Sequence, residues 1–260
     1  YEFRRIQIAS GFYREIENNH PSGTRVLVLG GGRQRPPIAE EIECINVDFD
    51  KGGFRPLAHL NMNALPAADV QVTDTIQTML WKYHSILSCN EHNDYEKFAT
   101  FMQQGPIGTA VCSMALRYLN PPMRRRLITV VLAALQPGGT LYLGERNPLI
   151  SGEQYRNSMH FQEAREVANL SRGTIEMDEY YCVPEMTQGV YSQLMTLSEQ
   201  SFMTRYYEIL SNVPYVRVPY DNSLEQQHFM KHPDAKSASK KIVLCPPWGH
   251  HVAALKKLPE

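Results

Sequence analysis

The stretch Val26-Leu27-Val28-Leu29, followed at once by Gly30, Gly31 and Gly32, constrains the architecture of this chain more than any other. A short continuous apolar run leaves no position for solvent, so it reads as a strand buried on both faces. Strands of that kind belong to parallel sheets flanked by helices. The glycines then sit at the carboxyl end of a strand, where open α/β sheets bind their ligands. Without Cβ atoms, their backbone can approach a ligand closely. A tight turn explains the same glycines equally well. The pattern is not G-x-G-x-x-G, because Gln34 and Arg35 follow, so a helix start cradling a pyrophosphate is not indicated.

The remainder alternates in the same manner. Residues 3–19 have helical period, with Phe3, Ile6, Phe12 and Ile16 as candidate buried positions. "PPIAEEI" places prolines where a helix tolerates them, in its first turn. "CINVDFD" is a second strand ending in acid, and "PLAHLNMNALP" holds a short third one. "TDTIQTMLWKYHSIL" and "NDYEKFATFMQQ" are helical in period. "GTAVCSMALRYL" begins as a fourth buried strand. In "NPPMRRRLITVVLAALQPGG", Leu127, Val130, Val131, Ala134 and Leu135 form one helical face, and Pro137-Gly138 stops the helix. "TLYLGE" is a fifth strand and residues 153–170 are helical. "FMTRYYEIL", "YVRVPY" and "KKIVLC" read as late strands, the first and last as an antiparallel pair. This alternation predicts one α/β domain over residues 1–260, with an N-terminal helix in 1–23, a ligand-binding core in 24–150, and a cover with late strands in 151–260.

Composition removes several function classes. Of the 260 residues 43% are hydrophobic and 20% charged, enough for a sizeable core, and the formal net charge of −1 provides no global field for nucleic acid or membrane. No stretch is apolar for the roughly 18 residues of a membrane span. The five cysteines are odd in number and none pair as C-x-x-C, so they are expected to be reduced, in a reducing compartment such as the cytoplasm. Cys89 and His92 begin a metal pattern that no second ligand pair completes, and no metal is expected. A chain that begins at Tyr1 is expected to be trimmed or to be a domain of a larger polypeptide.

Polar residues recur after each early strand. Asp48 falls at the end of the second, where an acid can accept hydrogen bonds from both ribose hydroxyls of an adenosine, and Phe49 can pack on the adenine. A helix cap or a solvated turn is the commoner role of a lone aspartate. Asn61 can read an adenine edge with Met62 beside it, or serve as an ordinary turn residue.

In this order, a glycine cluster, an acid after strand two, a polar–apolar pair before "LP", a fourth strand and then "LQPGGTLYLGE", the chain resembles the class I S-adenosylmethionine-dependent methyltransferases over roughly residues 24–146. Val28 stands where that family has an acid within strand one, and Gln34 where it has the last glycine of the loop. The resemblance implies a Rossmann-like fold: a mostly parallel central sheet, helices on both faces and an antiparallel last strand. It implies S-adenosyl-L-methionine as cofactor. Gly30, Gly31 and Gly32 would lie against it, Arg33 would face the site or a neighbouring carboxylate, Asp48, Phe49, Asn61 and Met62 would hold the adenosine, and Cys112 and Ser113 would border it.

A narrower resemblance concerns the methyl acceptor. "VCSMALRYL" is similar to a stretch of messenger-RNA cap guanine-N7 methyltransferases, with Cys112, Ala115, Leu116 and Tyr118 matching and Ser113, Met114 and Arg117 differing. "DEYYCV" is similar to that family's glutamate–tyrosine pair. This implies that Glu179 holds the guanine edge, that Tyr118 or Tyr180 stacks on the ring, and that Arg117 stacks on guanine or reaches a cap phosphate. Tyr118 and Glu179 are then the residues closest to the chemistry, and capped RNA is the partner. A surface strand explains "DEYYCV" as well, and a solvated helix face explains Arg124, Arg125 and Arg126 better than a phosphate patch does. Guanine N7 has a free lone pair, so no general base is needed. The rivals are a small-molecule N- or O-methyltransferase, a protein methyltransferase, and a methyltransferase-like interaction module without activity.

Overall fold

Val26 to Leu29 are buried on both faces in strand β1 (Arg25–Leu29), as an unbroken apolar run requires. In the computed structural model the described residues are 11–30, 36, 38–47, 56–58, 104–113, 115–116, 119–146, 161–171, 173–186, 214–220, 230–231, 243–244 and 250–259. Strand β1 pairs in parallel with β2 (Cys44–Val47) on one side and β4 (Ile107–Ser113) on the other, and β2 pairs in parallel with β3 (Pro56–Ala58).

The chain forms two compact units, both discontinuous in sequence. The core unit comprises Ile16–Leu143, His160–Asp178 and Ala253–Glu260. Its strand order is β3-β2-β1-β4-β5-β10-β6, to which β5 (Leu135–Arg146), β10 (His250–Lys257) and β6 (Ile175–Met186) contribute the parts that lie in this unit. The run 3-2-1-4-5, parallel in its described ladders, is the order of a doubly wound Rossmann-like sheet. Leu27, Leu29, Ile45, Val47, Ala110 and Cys112 feed one apolar cluster with the two helices α2 (Pro121–Ala134) and α3 (Gln162–Leu170).

Helix α2 starts as its sequence directs. The Asn120 side chain accepts from the Met123 N–H at 3.0 Å, and Pro121 and Pro122 fill the first turn. Two details differ from the sequence reading. The helix is buried all round from Leu127 to Ala134 rather than on one face. It also ends at Ala134, before Pro137-Gly138: Leu135 is already extended, and Pro137 lies inside β5. Lys257 explains the early stop, since its Nζ donates to the carbonyls of Ala133 (3.2 Å) and Leu135 (2.9 Å) at the negative end of the helix. Arg124 and Arg125 are not a free phosphate-facing pair, because they make ion pairs with Glu163 and Glu166 of α3.

The second unit comprises Tyr1–Glu15, Gly144–Met159 and Glu179–Val252. Its ladders are antiparallel: β6 pairs with β7 (Tyr215–Pro219) and with β9 (Val243–Leu244), and β9 pairs with β8 (Met230–Lys231). "YVRVPY" is therefore a strand as read, and "KKIVLC" contains β9. Of the helix expected in residues 3–19, the described part is α1 (Phe12–Asn19), with Phe12 and Ile16 fully buried, while Phe3 and Ile6 lie outside the described residues. "PPIAEEI" does not form the expected helix. Residues 38–43 make turns, with Ile38 N–H donating to the Pro36 carbonyl and Ile42 N–H to that of Ala39. The strand β10 was not foreseen. Its start, His250-His251, is polar and does not alternate.

The expected helices in 73–87 and 93–104 and the strand "FMTRYYEIL" lie outside the described residues, apart from Gln104. Cys44, Cys112 and Cys182 are buried free thiols, and Cys89 and Cys245 fall outside. No helix among the described residues is long and apolar enough to cross a membrane.

Candidate functional site

In the core unit the parallel strands bring three chain exits to one edge. Leu29, the last residue of β1, is in register with Val47, the last of β2, and with Cys112 near the end of β4. The Gly30 N–H donates to the Val47 carbonyl at 2.8 Å, so the turn after β1 is tied to the residue preceding Asp48. Gly30 has its own conformational reason to be glycine. Its φ is +68°, and a Cβ there would overlap the Cβ of Ala115. Part of the glycine signal is thus a packing requirement between the first turn and the chain after β4. Ser113, half-buried, closes the same edge.

The second unit holds two polar clusters, one on each face of β6. Side chains alternate across β6. Tyr180 and Cys182 face one way, and Glu179, Tyr181 and Val183 the other. On the first face the Tyr180 hydroxyl donates to Glu15 at 3.0 Å, and the Arg217 guanidinium lies 3.9 Å over the Tyr180 ring and 3.5 Å from Glu15. Burial, and next the Glu15 charge, push the Cys182 thiol well above its ordinary range, while Arg217 and Arg14 pull it back. Arg14 sits over the Tyr215 ring at 5.2 Å, and desolvation lowers its own pKa, countered by Tyr215 and Cys182.

On the other face Glu179 Oε1 is 2.8 Å from His251 Nε2. The His251 ring stacks on Tyr220 at 4.4 Å and 13°, and lies 5.0 Å from the Tyr181 ring. The Tyr220 N–H donates to the Glu179 carbonyl at 3.1 Å, which fixes that ring's backbone beside the pair. The His251 side chain is 2% exposed and that of Glu179 13%. His250 points to the opposite side of β10, where it packs 4.6 Å from Phe12. Gly144 makes room for it, since a Cβ there would overlap the His250 ring and come within 2.9 Å of Phe12.

No protein-family model and no curated protein sequence matches this chain. Solved structures similar to it are S-adenosylmethionine-dependent methyltransferases. One is a SAM-dependent methyltransferase from Archaeoglobus fulgidus, at 13% identity and a TM-score of 0.43, covering 98% of this chain and 96% of the other. A second is the plantazolicin methyltransferase BpumL in complex with SAH, at 13% identity and a TM-score of 0.41, with 99% and 85% covered. A third is the phosphoethanolamine N-methyltransferase 2 of Haemonchus contortus in complex with S-adenosyl-L-methionine, at 10% identity and a TM-score of 0.37, with 96% of this chain and 52% of that one covered.

Of the residues singled out in the sequence, Gly30, Cys112 and Ser113 lie at the core-unit edge. Gly31, Gly32, Arg33, Asp48, Phe49, Asn61, Met62, Arg117 and Tyr118 lie outside the described residues. Glu179 and Tyr180 are neighbours on β6 but face opposite ways. Tyr180 is 2% exposed, with its hydroxyl and one ring face engaged by Glu15 and Arg217. Glu179 is engaged by His251. Sequence reasoning missed His251, Glu15 and Arg217. The signal for the first was present as "GHHVAALKK", two histidines opening an apolar strand. Nothing local marks the other two, whose partners are far away in the chain.

Proposed function

We propose that this chain is an S-adenosylmethionine-dependent methyltransferase whose cofactor binds at the carboxyl edge of β1, β2 and β4. The observation that carries this reading is the hydrogen bond from Gly30 to Val47, which ties the start of the glycine loop to the residue before Asp48 at the ligand-binding edge of a Rossmann-like sheet. Gly31 and Gly32 would lie against the cofactor, with Arg33 facing it or a neighbouring carboxylate. Asp48 would accept the ribose hydroxyls, Phe49 would pack on the adenine, and Asn61 with Met62 would read its edge. Cys112 and Ser113 would border the site. Support for this reading comes from the edge itself, where β1 ends in register with β2 and with Cys112 of β4, so that the turn at Gly30 and the residues after β2 and β4 leave the sheet on the same side. The cofactor supplies an electrophilic methyl group, and the chain's part is to align the acceptor with it in a dry cleft.

Two acceptors remain in this reading. Guanine N7 of an RNA cap rests on "CSMALRY" and "DEYYCV", with Glu179 on the guanine edge and Tyr118 and Arg117 at the ring; Tyr180, on the opposite face of β6 from Glu179 and engaged by Glu15 and Arg217, does not serve as the stacking ring. A small-molecule nitrogen or oxygen acceptor is favoured by one observation, the bond between Glu179 and His251. Incubation with methyl-labelled cofactor and a panel of GpppG-capped RNA, nucleotides and small amines and alcohols tests the function. Label should enter at least one of them. A chain that neither binds the cofactor nor transfers label is an interaction module instead.

A further inference from the structure

We infer that Ala115 is a positioning residue for the cofactor: its methyl group sets where the loop after β1 leaves the sheet, and with it how tightly S-adenosylmethionine is held. This rests on the methyltransferase reading above and deepens it. Gly30, Val47 and Ala115 all belong to the core unit. Gly30 has a φ of +68°, and the place its side chain would take is already filled by the Cβ of Ala115. The bare Cα of Gly30 therefore serves this contact, and close approach to the cofactor falls to Gly31 and Gly32.

Two neighbouring segments fix Gly30. From β2, the Val47 carbonyl accepts its N–H at 2.8 Å, and from the chain after β4, Ala115 stands against it. Ala115 has little room to retreat. It packs on the apolar cluster that holds Leu29 and Cys112. The next residue, Leu116, is 2% exposed within that cluster, and its carbonyl accepts the Leu119 N–H at 3.0 Å. A close-packed interior transmits added volume as strain. A side chain larger than alanine at position 115 therefore pushes on Gly30 and on its bond to Val47. Because Val47 precedes Asp48, such a push moves the glycine loop relative to the acid that accepts the ribose hydroxyls. One cofactor must meet both, so its affinity reads the size of residue 115 directly.

The test is calorimetric titration of the full chain with S-adenosylhomocysteine, at a temperature where circular dichroism shows each variant folded. Ala115→Val should weaken binding by about 10–100-fold, the span that overpacking of this size covers. If Ala115→Val does not fold, Ala115→Ser carries the test with a loss of at least about threefold. A paired exchange separates positioning from general packing. Gly30→Ala should weaken binding, and adding Ala115→Gly to it should recover at least about fivefold, because the overlap is gone while the backbone strain at residue 30 is unchanged. A folded Ala115→Val or Ala115→Ser that binds as tightly as the unmodified chain overturns the positioning role and leaves the methyltransferase reading standing. So does a double variant no tighter than Gly30→Ala alone. An unmodified chain that does not bind S-adenosylhomocysteine removes the methyltransferase reading, and this inference with it.

Discussion

The two units stabilise their strands by different means. In the core unit, β1, β2 and β4 are joined by parallel ladders whose side chains are mostly apolar, with Arg25, Asn46 and Thr109 the buried polar exceptions, and α2 is buried all round over its last eight residues, Leu127–Ala134. In the second unit the ladders are antiparallel, and the interior holds Glu15, Tyr180, Cys182, His250 and His251. The first arrangement depends on volume and patterning. The second depends on each polar group having its partner, because an unsatisfied buried donor or acceptor costs about 1–3 kcal/mol. The lesson is that a hydrophobic pattern announces itself locally, whereas a polar interior is specified by residues distant in sequence.

The largest effect should come from the apolar half of this contrast. Leu132 is fully buried, so Leu132→Ala should destabilise by about 2–5 kcal/mol, read as a lower denaturant midpoint at unchanged slope. A loss below about 1 kcal/mol would show that the core unit is less tightly packed than its burial implies. Gly30→Ala should cost nearly as much. Left-handed backbone at a residue with Cβ costs roughly 1–2 kcal/mol, and the overlap with Ala115 adds about 1–3 kcal/mol.

The polar half predicts a pH effect. The folded state raises the Cys182 pKa above that of the unfolded chain. Its contribution is therefore complete below the ordinary thiol pKa of about 8.5 and is lost as pH rises toward the folded value, at up to about 1.4 kcal/mol per pH unit. Unfolding midpoints of the unmodified chain and Cys182→Ala at pH 7 and pH 10 should converge as pH rises. Parallel curves would mean that the thiol is not held neutral. Smallest is Arg125→Ala: the Arg125–Glu166 pair is 45% and 33% exposed, so its removal should change stability by less than about 1 kcal/mol, and less still in high salt.

The same contrast explains what could be read from the sequence. β1, β2, β4 and α2 were legible because each buries a continuous apolar run or carries its own cap, as Asn120 does. The end of α2 was not, since the group that completes it, Lys257, lies 122 residues beyond Leu135. The helix expected from "PPIAEEI" had prolines in the right place, but the backbone closes turns at Ile38 and Ile42 instead. At the site, Gly30 was legible, although half of its explanation is Ala115. Glu179 was singled out through a resemblance, and its partner was not, because a 72-residue separation hides the pairing with His251. Glu15 and Tyr180, 165 residues apart, were invisible as a pair for the same reason.

The central claim is that the core unit binds S-adenosylmethionine at the edge where β1 and β2 end. Calorimetric titration of the full chain with the cofactor, beside Asp48→Ala, tests it most directly. The account predicts saturable one-site binding, weakened in Asp48→Ala by about 1.5–3 kcal/mol as the charge-assisted ribose bonds are lost. Binding of equal strength by both proteins would place the cofactor elsewhere, and no binding by either would contradict the claim.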